Sequence, residues 1–262
     1  GSAAAALRLK SLESGAGRFT DFKLPPLTFY EYLNLLDLEP QIIGPDELTN
    51  LNEQFLRYVN FGGYPEAIFD PEIQENPERF IRSDIIEKVL LKDLPSLYGI
   101  TDIRELNRLF NTLAYQTGQE VTYASLASSS EIAKPTIKRY VEYLESAFLL
   151  KCVRRIDDSP RTFKKTNFFK PYLTNPSMYT ALFGLVSESD PAVGQLIETA
   201  VACQWLHSEK ELEGMHYARW SGGKGEVDIV WLDRLFKVVS CIEVKWTDRF
   251  FDHPNELKSL LH

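Results

Sequence analysis

With 262 residues, 44% of them hydrophobic and 12% aromatic, the chain can supply two small cores or one large one, which excludes a disordered polymer. No apolar run approaches the roughly 20 residues that cross a bilayer, residues 3–7 lack the length and basic flank of a signal peptide, and a formal charge of −8 argues against nonspecific coating of nucleic acid. Cys152, Cys203 and Cys241 stand far apart in apolar stretches that suit buried, reduced thiols, and His207, His216, His253 and His262 make no zinc pattern. A cytoplasmic protein is expected, and a zinc enzyme is not.

In chain order, residues 4–14 read as a short helix, Gly15-Ala16-Gly17 as a break, and residues 18–24 as a strand ending at Pro25-Pro26. Thr28 and Glu31 form a capping box that opens a helix to about residue 36, and residues 45–59 and 78–94 read as further helices. Gly62, Gly63, Pro65, Pro71, Pro77 and Pro95 punctuate this helical region. From Thr101 the pattern predicts helices over 102–117, 123–127 and 135–148 and an apolar strand over 149–153, the order of a winged helix. A polar, proline-containing connection over 157–171 then leads to a helix over 194–206 and strands over 226–232 and 236–246, joined by a short hairpin at 232–235.

The chemistry concentrates in the last of these elements. Side chains alternate along a strand, so Glu243 and Lys245 share one face, and the hairpin brings Asp228 beside Glu243. Phosphodiester hydrolysis needs a hard cation held by carboxylates, and Asp228 with Glu243 can hold Mg²⁺ through oxygen while Lys245 orients water or stabilises charge on phosphorus. Glu198, on the preceding helix, supplies a further acid if that helix packs on the sheet. Helix, Asp-bearing strand and Glu-x-Lys strand, in that order, read as nuclease-like. The competing reading is a half-exposed sheet with Lys245 in a cross-strand ion pair worth roughly 0.2–1 kcal/mol. Ser221 to Gly225 resembles a phosphate loop only superficially and reads as a turn.

The segment 134–170 carries ten Lys/Arg against four acidic residues, a balance of +6 within a chain of −8. Ile137, Tyr140, Val141, Leu144 and Phe148 give the helix at 135–148 a packed face, with Lys134, Thr136, Lys138 and Arg139 near its start. Early residues of a recognition helix meet base edges while basic side chains neutralise phosphates, which makes these four candidate DNA contacts, extended by Arg154, Arg155, Arg161, Lys164 and Lys165. A winged helix that serves only as a protein–protein module is the alternative, and Glu131, Glu142 and Glu145 count toward it.

Several motifs together resemble those of a widespread bacterial and archaeal family of AAA-type ATPases. They are Gly15-Ala16-Gly17-Arg18-Phe19, Leu24 to Glu31, Phe61-Gly62-Gly63-Tyr64-Pro65-Glu66, Thr117-Gly118, Thr136 to Tyr140, Gly225 to Asp228, and Ile242 to Lys245. The family's C-terminal half joins a winged helix to a restriction-endonuclease-like, PD-(D/E)xK domain. The resemblance implies a multidomain α and α/β chain: a remnant of the ATPase core over 1–26, a helical lid-like region over 27–100, a winged helix over 101–156, and a mixed-sheet restriction-endonuclease-like domain over 157–262, incomplete at its C-terminus. It implies a nucleotide-binding core before Gly1, so ATP is a cofactor of the full-length protein only, and it puts Arg18 where an arginine finger would reach a neighbour's nucleotide. A helix-end cap or a surface ion pair are the other readings of Arg18. Asn175, in Tyr172-Leu173-Thr174-Asn175, stands where an acidic residue is expected.

The functional expectation is the C-terminal portion of a DNA-associated AAA-type ATPase with a metal-dependent nuclease-like domain; DNA, a protein partner and an oligomer are candidate associations, a membrane is not. The alternatives are a noncatalytic regulatory ATPase whose nuclease-like domain serves recognition or assembly, and a plain transcriptional regulator.

Overall fold

The computed structural model describes residues 24–38, 48–156, 167–220 and 225–260. Arg18, Arg161, Lys164 and Lys165, the helix and strand expected over 4–24, and most of the loop from Ser221 to Gly225 lie outside these residues.

The described chain is a mixed α/β structure whose six strands form one mixed sheet. Helix α1 (Phe29–Leu35) starts at the expected capping box: Thr28 Oγ1 accepts from the Glu31 amide at 3.2 Å, and Glu31 Oε2 accepts from the Thr28 amide at 2.7 Å. Two otherwise orphaned helix-end donors are thereby satisfied. Helix α2 (Leu48–Phe61) packs Phe55 and Tyr58 against Phe29 and Tyr32 of α1. Short helices at Pro65–Phe69 and Pro71–Glu75 follow, each opened by the proline that sequence reading takes as a stop, because proline suits a first helical turn. The helix expected over 78–94 is wound wide, as π-helix, over Glu78–Glu87 and Val89–Asp93.

Helix α3 (Ile103–Tyr115) is capped by Asp102, whose carboxylate accepts from the Glu105 amide at 2.9 Å. Strand β1 (Val121–Thr122), α4 (Tyr123–Ser130), α5 (Lys134–Ser146) and β2 (Leu150–Arg155) come next. Strand β3 (Phe168–Leu173) pairs antiparallel with both β1 and β2. The polar connection expected over 157–171 therefore ends in a strand, and Pro171 sits inside it opposite Cys152. The strand packs with α3 and, through Phe169 against Tyr123, with α4, although it lies beyond the boundary drawn at residue 156.

After α6 (Ser177–Phe183) and α7 (Val193–Cys203), the chain returns as a meander of β4 (Met215–Arg219), β5 (Glu226–Leu232) and β6 (Val238–Ile242). β4 lies parallel to β2, so the order is β1-β3-β2-β4-β5-β6. One continuous apolar core runs from Tyr32 to Ala200 and joins the helical region, α3 to α5, and α6 and α7. A smaller cluster, including Tyr172, Ala202, Tyr217 and Ile229, lies between α7 and the sheet. Cys152 and Cys203 are buried as expected, whereas Cys241 is exposed on β6, among the described residues an edge strand that leaves Val238 and Val239 uncovered.

The turn after α3 fixes β3 against α7. Gly118, at φ 75°, donates its amide to the Pro171 carbonyl at 2.7 Å, and an added Cβ would stand 3.3 Å from the Gln195 carbonyl. Beside it, the hydroxyls of Thr117 and Thr199 lie 2.9 Å apart, and Thr117 accepts from the Leu173 amide at 3.1 Å.

Candidate functional site

Lys170 projects from β3 into a group of carboxylates held by two other elements. Its ammonium stands 2.8 Å from Glu198 Oε1 on α7, 2.5 Å from Glu226 Oε1 and 3.2 Å from Asp228 Oδ1 on β5. The Lys170 side chain is only 2% exposed. Tyr172, two residues along β3, donates its hydroxyl to Glu198 Oε1 at 2.5 Å, and the Tyr217 ring on β4 lies 5.4 Å from the ammonium.

Burial by itself would lower the pKa of Lys170, but Glu198, Asp228 and Glu226 outweigh it and hold the ammonium above the usual lysine range. Burial pushes the Glu198 carboxyl up to about 6, because Lys170 and Tyr172 only partly offset desolvation and repulsion from Asp228. The two shifts fit together: the ammonium meets three carboxylates at once, while Glu198 shares that ammonium with Asp228 and Glu226.

The expected trio of Asp228, Glu243 and Lys245 does converge, though by a different route. Strand β6 ends at Ile242, so Glu243 and Lys245 sit beyond it, not along it. What holds this segment is Asp228 itself, whose Oδ2 accepts from the Val244 amide at 3.0 Å. Lys245 Nζ is 2.5 Å from Glu243 Oε1 and 3.9 Å from Asp228 Oδ2. Trp246 stacks on Phe55 of α2, ring centroids 6.4 Å apart, which anchors the segment to the helical region. Glu243 and Lys245 line an open cleft of about 530 Å³ together with Asn52, Phe55, Glu188 and Trp246. The Glu243 side chain is only 7% exposed, burial raises its pKa, and its Oε2 has no hydrogen-bond partner among the described residues.

Among the described residues no group of three or more His, Cys, Asp or Glu side chains is arranged to hold a metal ion. Mg²⁺ needs fewer: it commonly takes one or two carboxylates and completes its shell with water and phosphate oxygens. Asp228 and Glu243, the latter with a buried, unpartnered Oε2 among the described residues, have the carboxylate chemistry such an ion takes, while Glu198 and Glu226 are drawn toward Lys170.

Sequence reasoning passed over Lys170, Tyr172 and Glu226. The signal was the alternation of Lys170 with Tyr172 and of Glu226 with Asp228, obscured on β3 by Pro171. Asn175 is fully buried and away from the cluster; its Oδ1 accepts from the Ser177 amide at 3.0 Å and hydroxyl at 2.8 Å, at the start of α6.

The candidate nucleic-acid contacts divide. Lys134, Thr136, Lys138 and Arg139 occupy the first turns of α5, with Arg139 exposed and Lys138 reaching over the Tyr123 ring at 5.4 Å. Arg154 is exposed on β2. Arg155 faces inward: it lies 3.4 Å from Glu120 and 3.8 Å over the Phe168 ring. Glu120 also accepts from the Tyr217 hydroxyl at 2.7 Å and meets Arg219 at 3.0 Å, and Arg219 reaches Glu226 at 3.6 Å. A chain of ion pairs thus links the basic segment to the carboxylate cluster.

Fold and cluster together define a mixed α/β protein with a lysine-centred carboxylate network. The chain belongs to the family described as Domain of unknown function (DUF8612), whose model matches residues 52–189. It is similar to an uncharacterised protein of Methanocaldococcus jannaschii, 27% identical over 83% of this chain and 50% of the relative. An uncharacterised protein of Haemophilus influenzae is 28% identical over 58% of this chain and 37% of that relative. The chain therefore spans half or less of the length of these curated relatives. No solved structure matches it.

Proposed function

We propose that this chain is the C-terminal portion of a DNA-associated AAA-type ATPase, acting in the cytoplasm, in which Asp228, Glu243 and Lys245 form a metal-dependent phosphodiesterase centre. The observation that carries the reading is the convergence of those three side chains, two of which, Glu243 and Lys245, line a cleft, with a buried Glu243 oxygen left without a partner among the described residues. Glu198 on α7, Asp228 on β5, and Glu243 and Lys245 just past β6 follow one another in the order of a restriction-endonuclease-like core, which supports the reading. The ATPase part of the reading rests on the sequence resemblance, with Arg18 as its arginine finger.

Asp228 and Glu243 would hold Mg²⁺, which supplies polarisation of the phosphoryl group and acidification of a bound water when present. Lys245, with its stem in the cleft and its head at the carboxylates, donates a hydrogen bond to the attacking water or to a non-bridging phosphate oxygen. Glu198 does not reach substrate in this scheme; it acts through Lys170 on Asp228. The order α3, β1, α4, α5, β2, β3 supports a winged helix, with Lys134, Thr136, Lys138, Arg139 and Arg154 meeting DNA. Arg155 serves that surface indirectly, through Glu120.

A cleavage assay on labelled linear, nicked and single-stranded DNA with Mg²⁺ or Mn²⁺ tests the proposal. Cutting is expected from the wild type and is lost in Asp228→Ala and Lys245→Ala; absence of cutting by folded wild-type protein under all these conditions counts against catalysis. A noncatalytic recognition or assembly module is the second reading, favoured by the ion pairs that Lys170 makes with Asp228 and its neighbours. On that reading Asp228→Asn lowers stability and changes no metal-dependent property.

A further inference from the structure

We infer that Lys170 is a built-in cation that fills the inner half of the acidic cluster and confines a divalent ion to the outer half, between Asp228 and Glu243. The inference deepens the proposed phosphodiesterase reading, and only its outer ion rests on that reading.

An ammonium has three donors and no acceptor. The Lys170 ammonium pairs with three carboxylates at 2.5, 2.8 and 3.2 Å and donates hydrogen bonds to two of them, Glu198 and Asp228. A fourth side is covered by the Tyr217 ring. The lysine sits in the middle of β3, paired opposite Val153 on β2, and the adjoining Pro171 carbonyl is held by the Gly118 amide. A divalent ion could join Glu198, Glu226 and Asp228 only by expelling a positive charge that the strand holds in place.

The arrangement also divides the two oxygens of Asp228. Oδ1 faces Lys170, while Oδ2 faces the Val244 amide and the Lys245 ammonium. Lys170 is therefore a positioning residue: it fixes which Asp228 oxygen is presented outward. It also makes this a one-ion centre, unlike two-metal sites that clamp attacking and leaving oxygens from both sides.

Titration of the chain with Mn²⁺, read by calorimetry and by electron paramagnetic resonance, tests this without requiring turnover. Wild type is expected to bind one ion, lost in Asp228→Asn and Glu243→Gln but held within about threefold in Glu198→Gln and Glu226→Gln. Lys170→Met is expected to gain one ion, and Mn²⁺ should raise its melting temperature or restore its fold, since the ion replaces the missing charge. A lysine of merely structural importance would leave the variant unstable with or without metal.

Should wild type bind no Mn²⁺ while Lys170→Met gains one, the phosphodiesterase reading fails together with the outer ion, and the assignment of Lys170 as the cation of the inner half stands. Two ions in wild type, loss of the wild-type ion in Glu198→Gln or Glu226→Gln, or a Lys170→Met chain that neither binds Mn²⁺ nor refolds in it would each overturn the inference.

Discussion

The two halves of the carboxylate cluster contain the same residue types in different surroundings. In the inner half, Lys170 is enclosed and meets Glu198, Glu226 and Asp228 at once. In the outer half, Lys245 is 37% exposed, bonded closely to Glu243 alone, and opens onto the cleft. Breaking a buried ion pair strands an uncompensated charge, whereas an exposed pair is screened by water and contributes little. Stability should therefore concentrate in the inner half and chemistry in the outer one.

The largest expected effect follows directly. Lys170→Met should cost about 3–5 kcal/mol in metal-free denaturant unfolding, the usual loss when one partner of a buried pair is removed. A loss below about 1 kcal/mol would erase the distinction between the halves. Lys245→Met, by contrast, removes an ammonium that is 37% exposed and should cost less stability than Lys170→Met in the same unfolding measurement, yet abolish cleavage of labelled DNA.

The pH dependence sharpens the same contrast. Burial raises Glu198 from an ordinary 4.5 to about 6, so the folded state binds its proton more readily than the unfolded one. Its contribution is fully present below about 4.5 and is lost as pH rises through about 6. Lys170 is also raised, so its contribution persists until the alkaline range, above its ordinary 10.5. The unfolding free energy of wild type relative to Glu198→Gln should thus decline from pH 4.5 to about 6 and stay level from pH 7 to 9. A flat difference across the acidic window would show that Glu198 is not held in a dehydrated, lysine-shared state.

The smallest effect concerns the basic segment, away from the cluster. If the exposed start of α5 meets phosphate, replacing Lys134 and Arg139 by Ala should weaken DNA binding modestly and reduce its salt slope by about 1–2. An unchanged slope would assign that surface to a protein partner.

Much of the fold was legible in the sequence where local chemistry decides it. Thr28 with Glu31 marked the start of α1, the periodicity around Ile137 and Leu144 marked α5, and the apolar run at 226–232 marked β5, because caps and burial patterns act over a few residues. β3 was not legible, since a proline argues against a strand and the neighbours that overrule it, β1 and β2, lie at a distance in sequence. The site followed the same rule. Asp228, Glu243 and Lys245 were found from spacing, although Asp228 gathers them by holding the Val244 amide beyond the end of β6. Lys170 was counted in a basic segment expected to touch phosphate, but its charge is spent inside the protein. Its three partners come from α7 and β5, and no local pattern announces such a meeting.

The most direct test is diffraction at the manganese absorption edge from crystals of the chain grown with Mn²⁺. A single anomalous peak between Asp228 Oδ2 and Glu243, with the Lys170 ammonium still among Glu198, Glu226 and Asp228, is the predicted result. A peak within that inner triad, with Lys170 swung away, would contradict the account.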